Sequence, residues 1–263
     1  MAHKTLINGT SYDIKSGRTL IGGTGYDIKK GRTLIGGTGY DISFGIPVGE
    51  LAVGASVYTD FGGSRTEFII ANQGNPDSSI YDNTAAGTWL LIKNIYEINV
   101  KYRQYSAGSS LYTDSYLVGI MNEYLKKFPA AIQHTIRTIN LPCNGYSGSP
   151  MEVIECKLFP LSAAELEPQN SYIGYHDGAV LQLFNNDDHN LKIAYYNNSA
   201  KRYWTRTGES QVYGNHIYII DETGWIRSNK VITDGNSEQA GTRFAFLIPS
   251  ETLVDSDFNI IPS

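Results

Sequence analysis

Long apolar runs are missing from this 263-residue sequence: no stretch approaches the roughly 18 residues that cross a bilayer as a helix. The opening Met-Ala-His-Lys-Thr-Leu-Ile-Asn-Gly lacks the apolar core of a signal peptide, so the expectation is a soluble chain made in a cytoplasm, with no membrane insertion. Cysteine is scarce. Cys143 and Cys156 are too few for a disulfide framework or a four-ligand zinc set; they read as reduced core thiols, with a single bridge as the other option. Basic residues are scattered and the net charge is -5, which speaks against a nucleic-acid partner, whose footprint is clustered Lys and Arg. The five histidines, His3, His134, His176, His189 and His216, form no metal-spaced pair and accompany no Gly-x-Ser-x-Gly element.

Glycine and tyrosine are what the chain has in excess, 27 and 19 residues. That pairing suits tight turns plus a surface of rigid amphipathic rings, or an ordinary turn-rich β protein with half-buried tyrosines. The glycines are most regular at the start, where TLINGTSYDIKSGR, TLIGGTGYDIKKGR and TLIGGTGYDISFGI follow one another with Thr5, Thr19 and Thr33 in register. Asn8-Gly9, Gly22-Gly23 and Gly36-Gly37 carry two-residue hairpin turns. Lys15-Ser16-Gly17-Arg18 and Lys29-Lys30-Gly31-Arg32 are read as the opposite turns, giving a meander of about six short strands. Tyr12 and Ile14, Tyr26 and Ile28, and Tyr40 and Ile42 then share one apolar row. A strip with one apolar row has too little thickness to stand alone. It needs the rest of the chain, sister copies or a larger particle against it, so these six residues are the expected anchoring set of an oligomerisation module over 1–46. An extension of the main domain's own sheet is the other reading.

From residue 47 to 263 the texture changes. GELAVGASVYTDFGGSRTEFIIANQG reads as two strands about Gly62-Gly63, and GTWLLIKNIYEI as a buried strand centred on Trp89. Leu117, Ile120, Met121, Tyr124, Leu125 and Phe128 recur at helical spacing until Pro129 breaks the run ahead of a second short helix. Ser162 and Glu165 form a capping box for a third. Strands before and after the helices predict an α+β domain with an antiparallel sheet closed by its ends.

SIYDNTAAGTWLLIKNIYE, LFPLSAAEL, RYWTRT and AGTRFAFLIPSETLV together resemble, in order, the landmarks of a domain family found in prophage and bacterial surface proteins, one that looks like a C-type-lectin-like fold. The usual Trp-Trp-Leu-Arg and Gly-x-Arg-Pro-Ala segments stand here as Tyr203-Trp204-Thr205-Arg206 and Gly241-Thr242-Arg243-Phe244-Ala245. Chains similar to this one carry the same opening repeat and are encoded among phage tail genes. The resemblance implies a virion protein, assembled in the host cytoplasm as a homotrimer and held to other virion proteins by its repeats. It implies an adhesin that meets a bacterial surface glycan or protein; the alternative is a head-fibre-like decoration protein of capsid or tail. A bacterial surface or secreted protein is the third reading. The face that similar proteins use for ligands maps onto Gln211, Tyr213, Asn215, His216, Trp225, Arg227, Asn229 and Lys230. Trp225 is either an exposed indole for a sugar ring or a core residue pinning the last hairpin.

No enzyme, cofactor or metal is expected. True lectins bind calcium with Glu-Pro-Asn and a later Trp-Asn-Asp; here Glu167-Pro168-Gln169-Asn170 is interrupted and the second motif is missing. Asp187-Asp188-His189 reads as a solvated turn before it reads as a calcium site. His176-Asp177 reads as a loop before it reads as half of an acid-base pair. Formylglycine-generating enzymes have a related fold, but no motif match carries their cysteine chemistry to Cys143 and Cys156. Arg206 and Arg243, in aromatic strand contexts, are expected to be structural.

Overall fold

The computed structural model describes residues 4–7, 10–13, 17–21, 24–28, 30–35, 38–43, 45–102, 112–143, 152–168, 177–208, 216–230 and 239–262; before residue 44, and at Asn229 and Lys230, it describes backbone only. The chain is α+β, with sheet predominating.

The repeats pair as three separate two-stranded hairpins, Lys4–Ile7 with Thr10–Asp13, Gly17–Ile21 with Thr24–Ile28, and Lys30–Ile35 with Thr38–Ser43. Each sets Thr5, Thr19 or Thr33 opposite Tyr12, Tyr26 or Tyr40. This corrects the expected continuous meander, because Gly17-Arg18 and Lys30-Gly31-Arg32 lie in strands, not in turns. Extending two of the hairpins through them adds ladder positions, with Arg18 in register with Asp27 and Arg32 with Asp41. Of the expected anchoring set, Tyr12, Tyr26, Ile28, Tyr40 and Ile42 lie in these strands, and Ile14 lies outside the described residues.

Two five-stranded sheets build the rest. One runs in the order Leu158–Pro160, Phe244–Ile248, Thr88–Ile92, Ser64–Gln73, Ser56–Phe61, antiparallel throughout. Its last pair turns at Gly62 and Gly63, both at positive φ (64° and 80°), as a two-residue hairpin demands. The other runs Glu97–Lys101, Gln239–Thr242, Tyr203–Gly208, His216–Ile220, Ile226–Lys230, antiparallel except for the parallel bridge between Tyr203 and Gly241.

The first sheet is buried on both faces, which explains why TWLLI and FAFLI show no polar alternation. Leu90, Ile92, Phe244, Phe246 and Ile248 pack with Met121, Tyr124, Phe128 and Ile132 of the helical segment. That segment comprises α1 (Tyr116–Leu125) and, beyond Pro129, α2 (Ala130–Thr135). Trp89, Leu91, Ala245 and Leu247 point the other way, into a core shared with Tyr203, Trp204, Ile217 and Ile219 of the second sheet. The layers are therefore helix, sheet, sheet. Arg243, between Gln239–Thr242 and Phe244–Ile248, marks where the chain passes from one sheet to the other.

The domain's ends meet: Ile46–Pro47 pairs with Leu253–Val254, which pairs with Ile260–Ile261. That strand starts one residue ahead of the expected boundary at 47. The capping box is present on α3 (Ala163–Leu166). A fourth helix, α4 (His189–Lys192), stands where a solvated turn was expected, because the Asp188 carboxylate accepts from Asn190 N at 2.9 Å and starts it. Among the described residues no helix is long and apolar enough to cross a membrane.

Candidate functional site

The frame of the site is ionic and buried. Arg206 lies at 1 % exposure, so each of its five N–H groups needs an acceptor, and each has one. Nη1 and Nη2 donate to the two Glu165 oxygens at 2.6 Å each, Nη1 also to Pro160 O (3.0 Å), Nη2 to Asp177 O (2.5 Å) and Nε to Pro142 O (3.3 Å). Glu165 thus serves the capping box of α3 and the guanidinium together, and also accepts from Tyr81 Oη at 2.5 Å.

Asp177 is the second carboxylate beside one guanidinium. Its Oδ2 accepts from Thr207 Oγ1 at 2.7 Å, while Oδ1 has no partner among the described residues. Burial pushes its pKa up to about 6, against the opposing pull of Arg206 and Thr207. The folded state thus holds a proton that the unfolded state has released above about pH 4. This stabilisation, up to about 3 kcal/mol, is complete below the unfolded pKa and is lost as pH rises through about 6. Comparing urea midpoints of wild type and Asp177→Asn from pH 4 to 7 should show the variant gaining on wild type as pH rises; parallel curves would contradict the assignment.

Arg243 supports the exposed part. It donates from Nε to Ile92 O (3.1 Å) and from Nη1 to Lys192 O and Tyr203 Oη (3.2 Å each). A guanidinium on the last carbonyl of α4 is a C-cap that favours the helix dipole. The Lys192 ammonium, fully buried, meets Asp187 Oδ1 at 2.8 Å, Glu167 Oε2 at 3.3 Å and His189 Nδ1 at 3.4 Å.

On this helix rests the turn Asp221–Trp225 of the last hairpin. Asp221 Oδ1 accepts from Thr223 N (2.9 Å), Thr223 Oγ1 (2.7 Å) and Trp225 N (3.0 Å), and Oδ2 from Arg227 Nε (3.0 Å). Although burial opposes it, these bonds hold Asp221 below the usual carboxylate range. Gly224 has φ +83°, and a Cβ there would sit 2.1 Å from His189 O, so glycine alone lets the turn press onto α4. His189 Nδ1 is 3.3 Å from Gly224 O. The Trp225 indole stacks on the His189 ring, 3.8 Å between centroids and 27° between planes, and is still 46 % exposed.

The structure brings Trp225 and Arg227 together, the guanidinium 5.9 Å from the ring centre. His216 is at the other end of the hairpin, paired in register with Lys230, about 13 Å along the strand from the turn. Asn229 and Lys230 lie in the same strand, and Gln211, Tyr213 and Asn215 lie outside the described residues. Sequence reasoning missed Asp187, His189, Lys192, Asp221 and Gly224. Asp-Glu-Thr-Gly-Trp is a legible turn, but nothing in the chain's order says that it lands on a helix that starts 32 residues earlier, as the separation of His189 from Asp221 requires.

Burial pushes the Cys143 thiol up to about 12 and Cys156 higher still, so neither is a thiolate near neutral pH. They pair with Glu152 and Ile139 at opposite ends of a hairpin, and both are free thiols. Among the described residues no three His, Cys, Asp or Glu side chains are placed to hold a metal ion. The arrangement offers a flat, rigid, open ring with a polar rim, which suits binding.

Residues 86–250 match the model of a family described as Domain of unknown function (DUF6273). Comparison with curated proteins and with solved structures gives no match.

Proposed function

Because the chain belongs to the DUF6273 family, whose function is unknown, we propose a function from its own residues: a phage or prophage virion protein that adheres to a bacterial surface through a C-type-lectin-like domain. Antiparallel sheets, helices packed on one face and ends that pair with each other support the lectin-like reading of 47–263. The repeats over 1–46 serve as anchor and trimerisation module. No covalent step is involved.

The observation that carries the reading is Trp225. A free surface tryptophan loses apolar burial and holds one rotamer only at an entropic cost, yet this one is fixed by Asp221, Gly224 and His189 and left open. Rigid aromatic rings that lose little freedom on contact are what a recognition surface uses. Trp225→Ala should lower adsorption of the full chain to host cells by tenfold or more while costing only about 1 kcal/mol of stability, the worth of the ring stack it removes. Undiminished adsorption would remove Trp225 from the binding face.

The decoration reading has one observation of its own. Among the described residues each repeat hairpin pairs only within itself, and strand edges of that kind suit pairing with another protein's sheet. Immunogold labelling of particles separates the two: gold at the tail tip supports the adhesin, and gold over the capsid supports decoration.

A further inference from the structure

If Trp225 marks the binding face, its surroundings also select the ligand. One side of the indole lies on the His189 ring, so the exposed area belongs to the opposite side and its edge. The Arg227 guanidinium, 5.9 Å from the ring centre, is wider than a stacked contact and is tied to Asp221. The open side is therefore free for a flat apolar surface of about the indole's own size, such as the C–H face of a pyranose ring.

The rim is acidic. Asp187 and Asp188 flank the His189 side and Asp221 and Glu222 the turn side, while the cations are Lys192, fully buried, and Arg227, already engaged. Asn185, Asn186 and Asn190 are exposed on the same segment as His189. Carboxylates and amides accept from hydroxyl and ammonium groups. An acidic sugar or a phosphate chain would meet four carboxylates against two cations, each of which already faces one of them, Lys192 with Asp187 and Arg227 with Asp221.

We propose that the Trp225–His189 stack is a subsite for one non-acidic pyranose, neutral or amine-bearing, which stacks on the open indole face and hydrogen-bonds to the acidic rim, and that it rejects uronic acids. This rests on the adhesin reading and narrows it.

Fluorescence tests it directly, because Trp89 and Trp204 are buried at 0 % and 1 % exposure and Trp225 is the indole in contact with solvent. The full chain is titrated with oligosaccharides of N-acetylglucosamine, glucosamine, glucose, galactose and rhamnose, and with a galacturonate oligomer as the acidic member. At least one non-acidic sugar should change the emission saturably, bind at least tenfold tighter than galacturonate, and lose its effect in Trp225→Ala. Glu222→Lys, an exposed change in the turn, should narrow that gap several-fold while leaving stability unchanged, a response that a merely structural Glu222 does not produce. Galacturonate binding as tightly as the others overturns the proposal. So does a chain that adsorbs to cells through Trp225 while no sugar changes its emission; the adhesin reading then stands with a different ligand class. Failure of both adsorption and titration sinks the adhesin reading itself.

Discussion

Arg206→Met should destabilise the fold by about 3–5 kcal/mol, the cost of removing one partner of a buried ion pair, read as a large fall in the guanidinium chloride midpoint. The methionine fills much of the volume, so packing is not the reason. Glu165 is fully buried and would be left with only the Tyr81 hydroxyl and the Ser162 backbone N–H as donors to its carboxyl group. The carbonyls of Pro142, Pro160 and Asp177 would lose their donor together, inside a region water does not reach. Since a domain's whole stability is about 5–15 kcal/mol, the single variant sits near the edge of folding. Arg206→Met with Glu165→Gln replaces the stranded carboxyl group by a neutral amide and should recover part of the loss. A single variant with the wild-type midpoint would show that the pair contributes nothing net.

Gly224→Ala tests the exposed end of the same architecture. The φ of +83° costs an L-residue about 1–2 kcal/mol, and the added Cβ meets the His189 carbonyl at 2.1 Å, a backbone atom that cannot rotate aside. The turn must lift from α4. The His189–Trp225 stack should separate, the indole emission should shift to the red, and adsorption should fall by tenfold or more. The core should stay largely intact, because Ile220 and Ile226, which tie the hairpin to it, are held by the strand ladder outside the turn. Unchanged emission with unchanged adsorption would mean that the turn tolerates the methyl and that the contact with α4 does not position Trp225.

Much of the architecture was legible. GTWLLIKNIYEI declared a buried strand through the apolar run after Thr88, Pro129 separated two helical segments, and the Ser162–Glu165 box appeared where its spacing placed it. These are local signals, each settled within one turn of helix or one strand. The repeat misled for the opposite reason: Lys-Gly-Arg looks like a turn on its own, but pairing across the hairpin rewards carrying it into the strand. Asp187-Asp188-His189 looked like a simple turn because the donors that close the helix it starts, Tyr203 and Arg243 on the Lys192 carbonyl, come from two different strands further along the chain.

The sequence by itself determined the α+β class, the three-fold repeat, the hydrophobic strands and the need of Arg206 and Arg243 for buried acceptors, because each follows from spacing or from donor number. Only the tertiary structure decided that Trp225 is exposed rather than buried, that His189 lies beneath it and that His216 stands apart. Exposure and stacking depend on which elements meet, and contacts across 35 residues, such as that between His189 and Gly224, leave no periodic trace in the chain.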